Sequence, residues 1–218
     1  MKENIIKYHN KKLIIFDMDG TLIDSGSIIA NTINHVRVNS ELSKMDDKIL
    51  LENINNPDIN SAKFFYEVDA FTPKHTQLFE SYYEEHHLKD IILYDGIKEL
   101  LENISQKSNA PTLTIATNAS TSFAISMTKH LDIYRYFDYI IGADKVANHK
   151  PSPDMVNTVI DRYEFDKKEI VLIGDSYKDK MASDEAGIET ILVNWGFTKF
   201  DDKHQVIKSV EELSNILV

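Results

Sequence analysis

Short runs of apolar and β-branched residues recur along the chain and alternate with segments whose apolar residues are spaced as in helices. The apolar runs are Lys12–Phe16, Thr112–Ala116, Tyr139–Ile141, Ile170–Ile173 and Thr190–Val193. Helical patterns lie between and after the later runs, at Gly96–Ile104, Ser122–His130, Pro153–Tyr163, Tyr177–Ala186 and Ser209–Leu217. This alternation predicts an α/β fold with a doubly wound parallel sheet and right-handed crossovers. Ser152 is the expected N-cap of the helix that has Pro153 in its first turn.

The first two apolar runs are separated by almost a hundred residues, and residues 24–91 show no convincing strand pattern. They show four helical patterns, at Ser27–Asn39, Asp47–Asn53, Ser61–Val68 and Pro73–His87. Because a compact domain rarely holds a structureless loop of this length, we predict an inserted helical subdomain at 24–91. Its aromatic residues are expected to form a small core of their own. Residues 1–23 and 92–218 then form the α/β core, with the two crossings near Ile23–Gly26 and Ile91–Gly96.

Composition and charge narrow the classes of function. The chain has 35 acidic and 24 basic residues and a formal net charge of −11, which argues against non-specific binding to nucleic acid or to an anionic membrane. It has no cysteine, so disulfides, thiol nucleophiles and zinc–cysteine sites are excluded. Its apolar runs are far shorter than the ~20 residues of a membrane span. Met1–Lys12 contains no continuous apolar stretch, so we expect no signal peptide and a cytoplasmic location.

Two acidic motifs follow predicted strands, where open α/β sheets bind their ligands. The first is Asp17-Met18-Asp19-Gly20-Thr21, and two carboxylates at this spacing repel each other unless they share a cation or a proton. The second runs from Gly174 to Asp179 and places Asp175 at a strand end, with Asp179 one helical turn later. Carboxylate oxygens without His or Cys suit Mg²⁺ better than zinc. Taken alone, the second motif also fits a helix N-cap with an acidic residue in the first turn.

Two further segments carry polar groups that suit a phosphate. Thr117-Asn118 follows the second predicted strand, and a hydroxyl, an amide and nearby backbone N–H groups can hold phosphate oxygens. Lys150 precedes Pro151-Ser152-Pro153, a stiff stretch that limits where the lysine can point. In so acidic a chain, a lysine held in place can neutralise a phosphoryl group or screen the carboxylates.

These four motifs, in this order and over nearly the whole chain, resemble those of the haloacid dehalogenase superfamily of phosphatases. The helical insert then resembles the α-helical cap of that superfamily, and Tyr94–Leu101 looks like the segment by which phosphoglycolate-phosphatase-like members return from cap to core. The resemblance implies a Mg²⁺-dependent phosphomonoester hydrolase that acts on a small phosphorylated metabolite through an aspartyl-phosphate.

The resemblance also implies a role for each motif residue. Asp17 is the implied nucleophile, and Asp19 is the implied acid for the leaving alcohol and base for the water. The implied metal ligands are the Asp17 carboxylate, the main-chain carbonyl of Asp19 and Asp175, while Asp179 supports the metal-bound water or Lys150. Thr117, Asn118 and Lys150 are the implied phosphate ligands.

Alternatives remain at this point. A β-phosphoglucomutase-like enzyme would pass the phosphoryl group to a sugar, although no arginine motif for a second phosphate is visible in the cap, where Arg37 is expected at the surface. A haloacid dehalogenase would not need an acid/base at Asp19, and a catalytically silent domain would bind a partner through its cap. Trp195-Gly196-Phe197 is expected to serve packing. The chain is expected to be a monomer or a weak homodimer.

Overall fold

The structure is a computed structural model that describes residues 8–200 and 206–218. The segment 1–7, which carries most of the sequence in which no signal peptide is expected, lies outside the described residues. In chain order the strands are β1 (Leu13–Phe16), β2 (Ile23–Asp24), β3 (Ile92–Leu93), β4 (Thr112–Thr117), β5 (Tyr139–Gly142), β6 (Ile170–Gly174), β7 (Glu189–Val193) and β8 (Val206–Ile207). The α-helices are α1 (Gly26–Asn39), α2 (Asp47–Ile54), α3 (Ser61–Tyr66), α4 (Pro73–His86), α5 (Ile97–Ser105), α6 (Thr121–His130), α7 (Asp154–Tyr163), α8 (Tyr177–Ala186) and α9 (Val210–Leu217).

Six strands form one parallel sheet in the order β5-β4-β1-β6-β7-β8. Strand β1 lies in its interior, where Leu13 is in register with Thr112 of β4 on one side and with Ile170 of β6 on the other. All four residues of β1 are buried, as expected for a parallel strand that is covered on both faces. The α/β fold and the five predicted strands are therefore confirmed, while β8 is too short to leave a pattern in the sequence.

Alternate residues of β1 point to opposite faces of the sheet and join two different cores. Ile14 and Phe16 belong to the larger cluster of buried side chains, whereas Leu13 and Ile15 belong to the smaller one. The smaller cluster includes side chains of α7 and α8, and the larger one includes side chains of α1, α5, α6 and α9. The sheet is thus sandwiched between helices, and its carboxyl edge stays available for a site.

The helices α1–α4 lie between β2 and β3, which pair as a two-stranded antiparallel ladder at the two predicted crossings. Neither strand was predicted from the sequence. Leu50 and Phe65 of this insert belong to the same cluster of buried residues as Phe16 of the central strand. The expectation of a separate core for the insert is therefore wrong, because buried side chains near the crossing, such as Met18 and Leu22, connect the two parts.

Two local predictions need correction. Helix α7 begins at Asp154 with Pro153 at the N-cap position, and the Ser152 hydroxyl donates to the Asp154 carboxylate (Oγ–Oδ1, 2.6 Å) instead of capping the helix. Arg37 is buried rather than exposed, with only 6% of its surface accessible. Its guanidinium donates to the carbonyls of Ser43 and Phe65, which lets the charge stay hydrogen-bonded inside the insert. No helix in the described part of the chain is long and apolar enough to cross a membrane.

Candidate active site

The carboxylates of Asp17 and Asp19 lie at the carboxyl end of β1. The Asp17 N–H still donates to the Ile173 carbonyl (2.8 Å), so the chain keeps its strand pairing with β6 up to this residue. The backbone then turns back at Gly20, whose φ of 84° lies in the left-handed region that favours glycine. Thr21 donates to Asp17 Oδ2 from its hydroxyl at 3.4 Å. The end of β1 therefore delivers both carboxylates to one edge of the sheet.

Lys150 lies at the centre of the polar cluster, and only 2% of its surface is accessible. Its Nζ donates to Asp17 Oδ1 at 2.7 Å, to Asp179 Oδ1 at 2.6 Å and to the Ala116 carbonyl at 2.7 Å. All three ammonium protons thus have an acceptor. The loop that carries Lys150 is held by Asn118, whose amide oxygen accepts from the Lys150 N–H and whose amide nitrogen donates to the Lys150 carbonyl.

Helix α8 begins at this cluster with a capping box. The Ser176 hydroxyl accepts from the Asp179 N–H, and the Asp179 carboxylate accepts from the Ser176 N–H. The second acidic motif is therefore a helix cap and, at the same time, part of the buried acidic cluster. Asp179 Oδ2 therefore accepts from Ser176 at the start of α8, while Oδ1 accepts from Lys150.

Asp175 is the carboxylate whose surroundings fit a metal ion best. It is fully buried; Oδ2 accepts from the Phe197 N–H at 2.7 Å, while Oδ1 has no hydrogen-bond partner. Carboxylate oxygens of Asp17, Asp175 and Asp179 all lie within 4.8 Å of one another. Because an unpaired buried carboxylate oxygen is costly and these donors are all hard oxygens, the residues present fit Mg²⁺.

Asp19 lies beside this cluster and is held by two hydroxyl groups. Ser25 donates to Asp19 Oδ1 at 2.5 Å, and Thr117 donates to Oδ2 at 3.4 Å. The ends of β1, β4 and β6, the loop before α7 and the first turn of α8 thus bring together the predicted site residues Asp17, Asp19, Thr117, Asn118, Lys150, Asp175 and Asp179.

Burial raises the pKa values of Asp17, Asp19 and Asp175, and repulsion from nearby carboxylates adds to the shifts of Asp17 and Asp175. Burial raises the pKa of Asp17 to about 7, and the charges of Asp179 and Asp19 add to the shift while Lys150 opposes it. Burial also raises the pKa of Asp19. The pKa of Asp175 lies well above its usual value because of burial and of the charges of Asp17 and Asp179. Although burial of Lys150 works in the opposite direction, Asp17 and Asp179 hold its pKa above the usual value. The cluster therefore favours a bound proton or cation near neutral pH.

Ser25 and the segment after β7 are parts of the site that the sequence did not predict. Ser25 lies in the loop before α1, and its only signal was a position shortly after the first motif. Trp195 packs against the larger core and donates its indole N–H to the Thr21 carbonyl, as a packing role predicts. The Phe197 N–H, however, binds Asp175 directly, and no residue type reveals such a backbone contact in advance.

A cavity of about 540 Å³ opens above these residues. Its floor includes Asp17, Asp19 and Lys150, and its walls are formed largely by α1–α4 together with Phe123 of α6. His87, directly after α4, contacts the Ser126 hydroxyl of α6 (Nε2–Oγ, 3.0 Å) and so connects the insert to the α/β core. The polar cluster therefore forms the closed end of a pocket whose remaining walls come from the insert.

The family model for haloacid dehalogenase-like hydrolases matches residues 14–193, which include all seven of these site residues. The chain belongs to this family. This haloacid dehalogenase-like hydrolase is similar to a solved hydrolase of the same family from Streptococcus pneumoniae, with a TM-score of 0.75, 27% identity and coverage of 87% of this chain and 88% of that one. A Clostridium acetobutylicum protein described as a predicted phosphatase has a TM-score of 0.82 at 23% identity, over 94% and 96% of the two chains, and shares the fold.

Curated relatives cover the hydrolase almost end to end. A phosphoglycolate phosphatase of Colwellia psychrerythraea is 27% identical over 212 residues, which are 92% of each chain. The pyrophosphatase PpaX of Halalkalibacterium halodurans is 25% identical over 213 residues, or 94% of this chain and 95% of that one. The predicted membership of the superfamily is confirmed, and so is the expectation of an enzyme of the phosphatase type.

Proposed function

We propose that this hydrolase is a Mg²⁺-dependent phosphomonoesterase that acts on a small phosphorylated metabolite and that α1–α4 form its cap, with residues 24–91 as the cap boundaries. The observation that carries the proposal is the buried cluster of Asp17, Asp175 and Asp179, in which Lys150 pairs with Asp17 and Asp179 at the floor of the cavity. So many carboxylates repel a phosphate dianion unless cations compensate them. The cytoplasmic location and the monomeric or weakly dimeric state stay predictions of the sequence.

Asp17 is the proposed nucleophile. Lys150 holds its Oδ1 at 2.7 Å, whereas its Oδ2 has only the long contact with Thr21, so Oδ2 is the oxygen less engaged by hydrogen bonds. Attack of this oxygen on phosphorus forms the oxygen–phosphorus bond of an aspartyl-phosphate, a mixed anhydride, as the bond from phosphorus to the alcohol oxygen breaks. Lys150 and the Thr117 hydroxyl face the transferring phosphoryl group, and Asn118 keeps Lys150 in place.

Asp19 is the proposed acid and base. Burial raises its pKa, which favours the protonated form that the first step needs. Its proton passes to the leaving alcohol oxygen, and in the second step the carboxylate takes a proton from the water that attacks phosphorus and releases phosphate. Ser25 and Thr117 hold the carboxyl group in position for both transfers.

Asp17, Asp175 and the main-chain carbonyl of Asp19 are the residues that would hold Mg²⁺, and the unpartnered Oδ1 of Asp175 supports this assignment. The ion supplies positive charge that offsets the carboxylates and the charge on the phosphoryl oxygens.

Variants of the two first-motif carboxylates test the proposal. Asp17→Asn should abolish phosphate release from every ester, since the amide is not a nucleophile. Asp19→Asn should release an aryl alcohol in a burst from an aryl phosphate and retain labelled phosphate on Asp17, because only the second step still needs a base. Rapid-quench kinetics and peptide mapping measure both, and Asp95→Asn, at an exposed position outside the cavity, is the matched control.

The outcomes separate this function from its alternatives. Wild-type turnover of an alkyl phosphate by Asp19→Asn would contradict the acid/base assignment. An isomerised sugar phosphate without release of phosphate would instead support phosphoryl transfer of the phosphoglucomutase type. No reaction of the wild-type protein with any phosphate ester in Mg²⁺ would favour a binding domain.

A further inference from the structure

Six aromatic rings line the part of the cavity that lies beyond the polar cluster, and they come from three helices and one loop: Phe65, Tyr66, Phe71, Phe79, Tyr83 and Phe123. Tyr83 contacts two of the others, since Phe79 stacks on it at 5.8 Å and Phe123 meets it edge-on at 5.0 Å between ring centroids. Phe71 forms part of the rim and is 55% exposed. A cavity of about 540 Å³ with such walls suits a ligand much larger than a two-carbon acid.

The charges around the cavity disfavour a second anionic group on the substrate. Among the described residues that line it, five carry carboxylates and two carry ammonium groups. The carboxylates are Asp17, Asp19, Glu80, Asp144 and Asp179, and the ammonium groups are Lys150 and Lys178. Lys150 is already shared between Asp17 and Asp179. Asp17, Asp19 and Asp179 belong to the proposed catalytic and metal site, and Asp144 pairs with Lys145 at 3.3 Å, so Glu80 and Lys178 remain beside the leaving group. A carboxylate or second phosphate on the leaving group would therefore be buried among aromatic rings, with Lys178 as its one lining cation in the described part of the chain and with Glu80 opposing it.

The arginines of the chain bind away from the cavity, and Lys178 is held by a backbone carbonyl of the insert. All three arginines belong to the described residues, and none lines the cavity: Arg37 binds carbonyls inside the insert, Arg135 pairs with Asp132, and Arg162 lies over the Tyr139 ring. Lys178 donates its ammonium to the Ile54 carbonyl at 2.9 Å, across from α8 to the end of α2. This contact ties the Lys178 side chain to the insert and uses one of its three ammonium protons.

We propose that the leaving group of the substrate is an uncharged alcohol with an apolar or aromatic ring system, and that the enzyme discriminates against phosphate esters with a second anionic group. This inference rests on the proposed phosphomonoesterase function. It differs from the substrates in the names of the two relatives above, since glycolate carries a carboxylate and pyrophosphate a second phosphoryl group. Burial of the ring against Phe79, Tyr83 and Phe123 supplies the discrimination.

Three primary alkyl phosphates test the inference: 2-phenylethyl phosphate, ethyl phosphate and 2-phosphoglycolate. The glycolate ester has the most acidic alcohol of the three, so intrinsic reactivity works against our expectation. We expect kcat/KM for the phenylethyl ester to exceed that for each of the other two by about 10- to 100-fold in Mg²⁺. A higher value for 2-phosphoglycolate, with phosphate released, would overturn the inference and leave the phosphatase intact. Failure of all three esters to release phosphate would overturn both.

Two variants locate the discrimination in the aromatic wall. Phe79→Ala should lower the ratio of kcat/KM for phenylethyl over ethyl phosphate about tenfold. Phe71→Ala is a second variant, and because Phe71 is exposed at the rim, its replacement should disturb folding less. It should lower the same ratio of kcat/KM by a smaller factor. Ile49→Ala is the matched control, because Ile49 is an exposed apolar residue of α2 that does not line the cavity. An unchanged ratio in both folded aromatic variants would contradict the inference.

Discussion

Replacing Lys150 with methionine should destabilise the protein strongly, because it removes one partner of a buried ionic cluster. The methionine side chain is of similar length, so little volume is lost at this site. The change leaves Asp17 Oδ1, Asp179 Oδ1 and the Ala116 carbonyl without the donor that each has at 2.6–2.7 Å. Removal of one member of a buried pair costs about 3–5 kcal/mol, and the side chain of Lys150 is only 3% exposed. We therefore expect the free energy of unfolding to fall by about that amount.

The loss in the free energy of unfolding caused by Lys150→Met should depend on pH, because Asp17 titrates near neutral pH. Its folded-state pKa of about 7 lies above the usual 3.8, so the folded protein binds this proton more tightly than the unfolded chain. The contribution of Asp17 to the free energy of unfolding therefore decreases as pH rises from about 4 to about 7. Without the ammonium group of Lys150, which opposes the shift, the pKa of Asp17 moves further up. The loss relative to wild type should thus be larger at pH 8 than at pH 5.5.

Urea unfolding followed by circular dichroism, in chelator at both pH values, measures these free energies. Lys180→Met is the matched control, because Lys180 pairs with Asp184 on the surface of α8 with 41% of its side chain exposed. Such a pair contributes less than about 1 kcal/mol. A loss below about 1 kcal/mol for Lys150→Met at pH 8 would refute the reasoning from the buried cluster. Equal losses at the two pH values would refute the part that rests on Asp17.

Three further predictions concern the metal ligands, the turn and the insert. Asp175→Ala should weaken Mg²⁺ binding at least about tenfold more than Asp179→Ala, because Asp175 Oδ1 is the carboxylate oxygen without a hydrogen-bond partner among the described residues. Calorimetric titration measures both affinities, and equal losses of Mg²⁺ affinity would contradict the assignment of Asp175 as the metal ligand. Gly20→Ala should cost about 1–3 kcal/mol in thermal unfolding and also weaken Mg²⁺ binding, since a Cβ at this positive φ would crowd Asp175. Gly187→Ala, also at positive φ but with only ordinary van der Waals contacts to the Lys167 side chain, should affect stability alone. Arg37→Met should lower the free energy of unfolding by about 1–3 kcal/mol in chemical denaturation without changing Mg²⁺ affinity, whereas a surface arginine would give almost no loss.

The part of the site that could be predicted consists of residues at the carboxyl ends of predicted strands. Asp17, Thr117 and Asp175 come directly after or at the end of β1, β4 and β6, and neighbouring parallel strands end at the same edge of a sheet. Their proximity therefore follows from the order of the strands. Lys150 lies in a loop, and the sequence indicated only that its surroundings are stiff. That its ammonium group meets Asp17 and Asp179 depends on Asn118, which clasps the Lys150 backbone from another loop.

Short-range periodicity in the sequence was enough to predict most of the strands and helices. Apolar runs of four or five residues became buried strands, and helical patterns became helices, because each residue's exposure is set mainly by its neighbours within one or two turns. The helical character of residues 24–91 followed in the same way. Such patterns do not specify which face of the insert packs against the α/β core. They therefore predicted a separate core for the insert, whereas its buried residues belong to the same cluster as those of the sheet.

Contacts between residues far apart in the chain could not be predicted from the sequence, because they form only when the chain packs. Arg37 is polar by type and yet buried, since backbone carbonyls of the insert happen to surround its guanidinium. The Phe197 N–H reaches Asp175 from the segment after β7, and every residue except proline carries the same N–H group. The aromatic wall of the cavity likewise combines Phe79 of α4 with Phe123 of α6, more than forty residues later. Side-chain type sets what a residue can bond with, but only the packed chain brings a partner within reach.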